Sequence, residues 1–423
     1  MSMYTMRDFG SAAPMPRRLS GRRFLFTLIS LFALNHLVAL ASTPLGPLLS
    51  AGKPVDWWFV FKFNAHTFPG DETAEPTPAI FGGTPTNYGH FSLNYAYASS
   101  ADPTLRMGTN YIGLSLNDPL GATFDQIYHG TCNYILWNDQ FYDDPMPSEG
   151  SPWGHSKGAL AWDDAGNGFV LQVSTPSWPA SGSAHHPRAH DGNTLGTVND
   201  NDVKVSQHFF ALKLNADDVE TVLLGLANAS IVTKPGNLQI LNAGGPHNLQ
   251  VLAQQLGHES SSTVVMKQTL SSGVIFISKP SKLHVPVWQM VSAKMDALPI
   301  RAATWWTTPP LPSTTADTTI ECWDAALGHP GQVQIATSGT WQGKRIGLKG
   351  GGGNDANHAK IGVSLDPSKT FCFFGDENQQ GALDGDCNSS QNGRGGEFYV
   401  LNQSDFFQSL TALLAGDSAA PAQ

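Results

Sequence analysis

The chain has 423 residues, 41% of them hydrophobic and 10% aromatic, which suffices for a large core and excludes a natively disordered chain. Only 14% are charged, and the formal net charge of −10 excludes attraction of polyanions by net charge at neutral pH. With 43 Gly and 28 Pro, a loop-rich protein with β-structure is favoured over a helical bundle.

Residues 1–41 are expected to be a removable signal peptide. Arg17, Arg18, Arg22 and Arg23 form a basic region, Phe24 to Ala33 is almost wholly apolar, and Ala39-Leu40-Ala41 offers a small-x-small cleavage site. Arg22-Arg23-Phe24-Leu25 also hints at a twin-arginine export signal. Asn35 and His36 break the apolar stretch and argue against a retained membrane anchor, so the processed chain is expected outside the cytoplasm, secreted or periplasmic. Without the leader it carries 19 basic and 33 acidic residues, a net of −14, together with 13 of its 14 histidines. Such a chain meets a polyanion comfortably only in acid, where histidines charge and carboxylates begin to discharge.

In chain order, Val55 to Phe63 is a β-rich run, Tyr134 to Trp137 is another, a third strand follows His155, and Gly168 to Val173 is a fourth. Asp71–Pro85, Asp143–Pro152 and Ala180–Asn201 read as loops, the last with clustered His185, His186 and His190. The spacing of Leu, Val and Phe from Gln207 to Leu226 predicts a helix. A second series follows: strands at Val264–Met266 and Gly273–Ile277, a helix at Val287–Ala297, and a Pro/Thr-rich connector at Thr307–Thr319. A glycine run at Gly350–Gly353, a strand at Thr370–Phe374, a Gly-rich loop at Gly381–Gly396 and a terminal helix through Leu410–Leu414 complete it. Alternating strand and helix signals predict α/β layers. The expected division is a first half over 42–205, a second over 206–415 and a disordered tail over 416–423. Of four cysteines, Cys372 and Cys387 can close a short loop, while Cys132 and Cys322 either pair or stay free.

The two series share a repeat. His155-Ser156-Lys157 and His358-Ala359-Lys360 each continue to an apolar residue five after the His and to an Asp eight after it, Asp163 and Asp366, which should mark hairpin turns. Side chains two apart on a strand lie on one face, roughly 7 Å apart at their roots, so His and Lys can approach the same phosphate. The ammonium neutralises non-bridging oxygens while the imidazole acts on phosphorus or on a leaving oxygen. Two converging pairs supply a nucleophile, an acid and two cations, so no metal or cofactor is expected. A single H-x-K is a weak signal; the extended shared pattern is what gives it weight.

In these motifs the chain resembles the deoxyribonuclease II family. The resemblance runs from Gly52 to about Leu401 through Pro54-Val55-Asp56-Trp57 with Lys62, Asn138-Asp139-Gln140, Gly154-His155-Ser156-Lys157-Gly158, Asn357-His358-Ala359-Lys360, Gly375-Asp376-Glu377-Asn378 and Gly393-Arg394-Gly395-Gly396. It implies a phospholipase D-like fold, two similar α/β halves forming a pseudo-dimer around one central site. It also implies cleavage of double-stranded DNA in acid without divalent metal, leaving 3′-phosphate ends. On this reading His155 and His358 are nucleophile and general acid in unassigned order, and Lys157 and Lys360 are phosphate clamps. Lys62, Asn138, Asp139 and Asn378 become substrate-binding candidates, Asp139 also as an orienting residue. The phospholipase D motif places Asp seven after His, where this chain has Trp162 and Leu365, which agrees with a nuclease rather than a lipase. The family cysteine after the Gly-rich motif is replaced near Phe398, which leaves Cys387 as the partner implied for Cys372.

Three other classes use the same residues or nearby ones. A zinc hydrolase would use His185, His186, His190 and Asp191, but adjacent histidines chelate poorly on regular structure. A phospholipase D-like phosphodiesterase would turn the same four residues on a non-nucleic-acid substrate, and a catalytically inactive binding protein would keep only the fold.

Overall fold

The computed structural model describes residues 44–70, 90–113, 115–141, 150–176, 203–236 and 240–422. The expected leader, the loop at Asp71–Pro85 and the cluster of His185, His186 and His190 lie outside the described residues.

The protein is a mixed α/β structure built on two large sheets. The first contains β1 (Trp57–Lys62), β2 (Tyr95–Ser99), β3 (Asp102–Met107), β4 (Asn133–Asn138), β5 (Lys157–Trp162), β6 (Gly168–Val173), β7 (Gln207–Leu214) and β8 (Leu241–Asn242), in the order β3-β2-β1-β7-β6-β5-β4-β8. From the second half of the chain come β9 (Met266–Thr269), β10 (Ile275–Lys279), β11 (Ile300–Ala303), β12 (Val333–Ile335), the separate hairpin β13 (Ser338–Trp341) and β14 (Lys344–Gly347), then β15 (Ile361–Ser364), β16 (Phe371–Gly375) and β17 (Gly396–Asn402). The second sheet runs β12-β11-β15-β16-β17-β10-β9. The helices are α1 (Pro119–Tyr128), α2 (Ala216–Asn228), α3 (His247–Gln254), α4 (Val287–Lys294) and α5 (Ser404–Leu413). In each sheet the strand after an H-x-K forms a hairpin with the next, the third strand pairs beside it, and a helix follows directly.

Burial on both faces explains why several strands read as continuous apolar runs. On β1, Trp57, Phe59 and Phe61 face the core between the sheets, while Trp58 and Val60 face an outer core under Leu120, Phe124 and Ile127 of α1. The outer face of the second sheet is covered likewise by Val287, Trp288, Met290 and Val291 of α4. The inter-sheet core takes in apolar residues of α2 and α5, and its aromatic centre is Phe374, 4.3 Å from Phe210 and 5.2 Å from Phe59 between ring centroids. Gly225 lets α2 lie directly on Phe276, since a Cβ there would come within 2.3 Å of that ring. The repeat's two aspartates sit in the hairpin turns as expected: Asp163 Oδ1 accepts from the amides of Ala165 and Asn167, and Asp366 Oδ1 from Ser368.

Four expectations change. Gln207–Leu214 is a strand, and the helix begins only after Asn215, which caps it with Asp218 in a capping box. Flanked by β1 and β6, this strand is apolar on both faces, which masks its period of two. Consequently the first sheet extends to Asn242, beyond the expected boundary at 205/206, and the passage to the second lies between β8 and β9. Residues 416–422 are not a loose tail: Ser418 bridges to Ala336, Pro421 to Ser313, and the buried Arg301 guanidinium donates to the carbonyls of Gly416 and Asp417. The disulfide joins Cys322 to Cys387, and among the described residues neither Cys132 nor Cys372 is disulfide-bonded. Cys372 sits on β16 inside the inter-sheet core, so its thiol faces packed side chains, whereas Cys387 and Cys322 meet where an outer loop crosses the connector.

Phe374→Ala removes the ring on which both sheets converge and is expected to lower the unfolding free energy by about 3–5 kcal/mol, measured by urea denaturation.

Candidate active site

Both H-x-K segments enter their sheets through backbone bonds to the other sheet's strands. The His155 amide donates to the Gly395 carbonyl at 2.7 Å, just before β17, and the His358 amide donates to the Ser206 carbonyl at 2.8 Å, just before β7. This exchange brings the two pairs to one place. His155, Lys157, His358 and Lys360 line a single pocket of about 210 Å³, together with Gln140, Pro176, Trp305, Asn378, Gln391 and Arg394. Each of the four is almost enclosed, at 8%, 2%, 5% and 3% exposure respectively, so they are reached only through that pocket. A larger cavity of about 650 Å³, between Trp57, Asp163, Lys213 and Asn402, contains none of them.

The ring of His155 is held by Nδ1, which donates to the Asp376 carbonyl at 2.7 Å. A carbonyl only accepts, so the proton sits on Nδ1 and Nε2 keeps its lone pair. His358 has the Gln207 side-chain amide 3.4 Å from Nδ1 and packs edge-on against Trp305 at 4.2 Å between centroids. Its Nε2 is buried and finds no hydrogen-bond partner among the described residues. Burial, then Lys157, pushes the His155 imidazole well below the usual histidine range, against the opposing pull of Asp139. Burial, then Lys360 and Lys157, does the same to His358, with the nearby Gly351 backbone acting in the opposite sense.

Asp139 sits at the end of β4, where antiparallel pairing sets Asn138 opposite Lys157. One carboxylate oxygen takes the Lys157 ammonium and the other takes Arg394 Nη2 at 2.7 Å. Burial alone would raise this carboxyl, but Lys157, Arg394 and His155 hold it well below the ordinary carboxylate range. Arg394 is further locked by donating to the carbonyls of Trp153 and Gly154, both at 2.9 Å. Its place in the site is not among the sequence expectations, although it stands in the Gly393-Arg394-Gly395-Gly396 motif. Gln140 likewise stands in the Asn138-Asp139-Gln140 motif, whereas Trp305 and Gln391 carry no local signal of a role here.

Behind His155 lies a set of buried acids. Ser156 Oγ donates to Glu397 at 2.5 Å, and the Glu397 amide donates to Asp376 Oδ2 at 3.1 Å. Burial pushes Asp376 and Glu397 up and raises Glu377 to about 8, so Glu377 holds its proton at neutral pH and below.

The remaining sequence expectations divide. Asn378 lines the pocket. Asn138 is wholly buried, accepting from the Gln140 amide at 2.8 Å and donating toward the Thr175 carbonyl, so it caps a strand end instead of lining the pocket. Lys62 is not among the residues lining the pocket: it is fully buried, with its ammonium bonded to the carbonyls of Val205 at 2.6 Å and Ser92 at 2.9 Å. Its position at the end of a central strand turns the side chain inward, where its charge still bears on His358. His208, which accepts from the Lys360 amide at 3.2 Å, is a buried support that no sequence motif marks.

Two imidazoles, two lysines and an arginine around one small cavity are an arrangement chemically able to hold an anion between groups that can attack and protonate. The deoxyribonuclease II family model matches residues 48–415, and the chain belongs to that family. It is 31% identical to deoxyribonuclease-2-alpha of Sus scrofa over 153 residues and 30% identical to that of Bos taurus over 154, in each case 35% of this chain and 37% of the relative. Cell-death-related nuclease 7 of Caenorhabditis elegans is 30% identical over 139 residues, 32% of this chain and 31% of that protein. These matches therefore span about a third of the relatives' length. Among solved structures, a yeast tyrosyl-DNA phosphodiesterase overlaps 67% of this chain and 84% of its own with a TM-score of 0.28 at 9% identity.

Asp139→Asn leaves Lys157 and Arg394 without their shared counter-charge and is expected to cost roughly 3–5 kcal/mol of stability. Because the folded carboxyl titrates below its unfolded value, its contribution is complete above about pH 4 and is lost as pH falls further. Urea denaturation of both proteins across pH 3–7 checks the size and the direction.

Proposed function

We propose that the protein is an acid endonuclease that hydrolyses double-stranded DNA without divalent metal and leaves 3′-phosphate ends. In this reading the two halves act as a pseudo-dimer around one site. The observation that carries it is the single pocket lined by both H-x-K pairs. The family membership agrees, and the likeness to named deoxyribonucleases extends it to substrate.

His155 is the nucleophile, because its proton is committed to the Asp376 carbonyl and Nε2 is free to attack. Nε2 forms a bond to phosphorus as the bond to the 5′-oxygen breaks, and His358 gives that oxygen a proton. His358, now neutral, takes a proton from water; the hydroxide oxygen attacks phosphorus, the P–N bond breaks, and the 3′-phosphate leaves. Lys157, Lys360 and Arg394 balance the charge on the non-bridging oxygens, the work a metal ion does elsewhere. Asp139 orients two of these three cations. The disulfide between Cys322 and Cys387 supports an extracytoplasmic location. No helix among the described residues is long and apolar enough to cross a membrane.

If the halves share one site, His155→Ala and His358→Ala should each lower plasmid cleavage by a factor of about 10³ or more, with the double variant no worse than either single, since residues acting as a unit are non-additive. Separate sites would leave about half the activity in each single variant. Melting curves establish that each variant is folded.

The acid must start protonated, yet burial and neighbouring lysines depress its affinity for a proton. Rate should therefore rise as pH falls from neutral into mild acid and drop about tenfold per unit on the alkaline side. Initial rates of plasmid nicking in excess EDTA at fixed ionic strength, from pH 4 to 8, test this. A rate still climbing from pH 6 to 8, or restored only by a divalent ion, contradicts the mechanism.

A further inference from the structure

The glycine run at Gly350–Gly353 has no part in the chemistry above, yet it borders the pocket. A Cβ on Gly350 would come within 3.0 Å of the Trp305 ring and 2.6 Å of the Trp306 amide, so only glycine lets this loop pass the pocket wall. The Gly351 backbone lies near enough to His358 to bear on its imidazole. On the far side of the loop is a second cleft, of about 420 Å³, lined by Gly350, Gly351 and Gly353 with Lys349, Arg345, His66 and Asp355.

We infer that this cleft holds the sugar–phosphate backbone of a DNA strand next to the bond being cut, so that the histidine pocket is one end of a longer anion track. The inference rests on the nuclease reading and adds where the flanking strand runs. Three observations support it. None of the four glycine N–H groups donates a hydrogen bond among the described residues, leaving a row of backbone donors beside a lysine. Lys349 is exposed and forms no ion pair among the described residues, while Arg345 is tied only to Asp417 at the surface, where a phosphate can compete. The segment 337–360 carries four basic residues, Lys344, Arg345, Lys349 and Lys360, against one acid, Asp355, in a chain of net charge −10.

The two halves also differ in the right sense. Asn138 lies opposite Lys157, which puts Asp139 just beyond; Ala303 lies opposite Ile361, which puts Trp305 at the matching place beside Lys360. Where the first half sets a carboxylate, shared with Arg394 of the second, beside its lysine, the second half presents a partly exposed indole, a surface for a sugar or base.

The test uses the full chain with Lys349→Ala and Arg345→Ala, alone and together, on a 20-base-pair duplex with phosphorothioate linkages. Affinity is read by fluorescence anisotropy at pH 5 across a salt series. Each substitution is expected to weaken binding about fivefold at low salt and to reduce the slope of log K against log salt by about 0.9 for each phosphate no longer neutralised. Asp355→Asn should tighten binding. Hydrolysis of bis(p-nitrophenyl) phosphate, which fills only the histidine pocket, is followed in parallel and should be unchanged. Unaltered affinity and salt slope in the double variant overturn the track, as does weaker binding accompanied by abolished hydrolysis of the small diester. Duplex binding with the expected slopes but no hydrolysis of either substrate by the unaltered protein supports the track and overturns the nuclease reading.

Discussion

One buried carboxylate holds the site together. Asp139 leaves the end of β4 and divides its two oxygens between Lys157 on β5 and Arg394, which enters from the loop before β17 in the other sheet. Buried cations of like sign would separate or lose their protons if left alone, since desolvation and mutual repulsion act together. A single anion between them makes convergence of the two sheets compatible with a cationic pocket. Arg394 extends the tie through the carbonyls of Trp153 and Gly154, so the His155 segment is fastened to the second sheet by both backbone and side chain.

Several other buried groups around the pocket are pushed toward their neutral forms. The acids behind His155 are pushed toward their neutral forms by burial, and both pocket imidazoles are pushed toward theirs. The pocket is thus a set of lysine and arginine charges with neutral imidazoles, poised for an anionic ligand. A bound phosphate reverses the electrostatic balance at the histidines, because the repulsion that depresses them is then matched by attraction. In the proposed mechanism, acid conditions and a bound phosphate act in the same direction on the proton that His358 must supply.

The likeness between the halves ends at the pocket wall. The hairpins, the following helices and the buried lysines at the ends of β1 and β10 correspond. Lys62 bonds to carbonyls, and Lys279 bonds to carbonyls and faces Glu377 at 3.8 Å. The immediate neighbours of the two lysines in the pocket do not correspond: Asp139 stands beside one, Trp305 in the matching place beside the other. On the proposed reading, similar supports with different immediate neighbours suit two imidazoles given different tasks, attack and protonation.

Local chemistry made much of this legible in sequence. The H-x-K spacing set His155 with Lys157, and His358 with Lys360, on one side of a strand each, because side chains alternate with a period of two. Asp163 and Asp366 marked their turns, and strongly apolar runs marked β1, β4 and β6. Where both faces of an element are buried, that period disappears, and β7 reads as helix for this reason. Burial also decided Lys62: a lysine ending a central strand looks like a surface cation until the strands around it are placed. The Cys322–Cys387 pairing, the docked residues 416–422 and the meeting of Arg394 with Asp139, 255 residues apart in the chain, depend on how the sheets pack. The sequence by itself determined which residues could carry the chemistry, since residue type and near-neighbour spacing are local properties. Only the tertiary structure decided that they share one pocket, because distance between remote segments is set by the packing of the whole core.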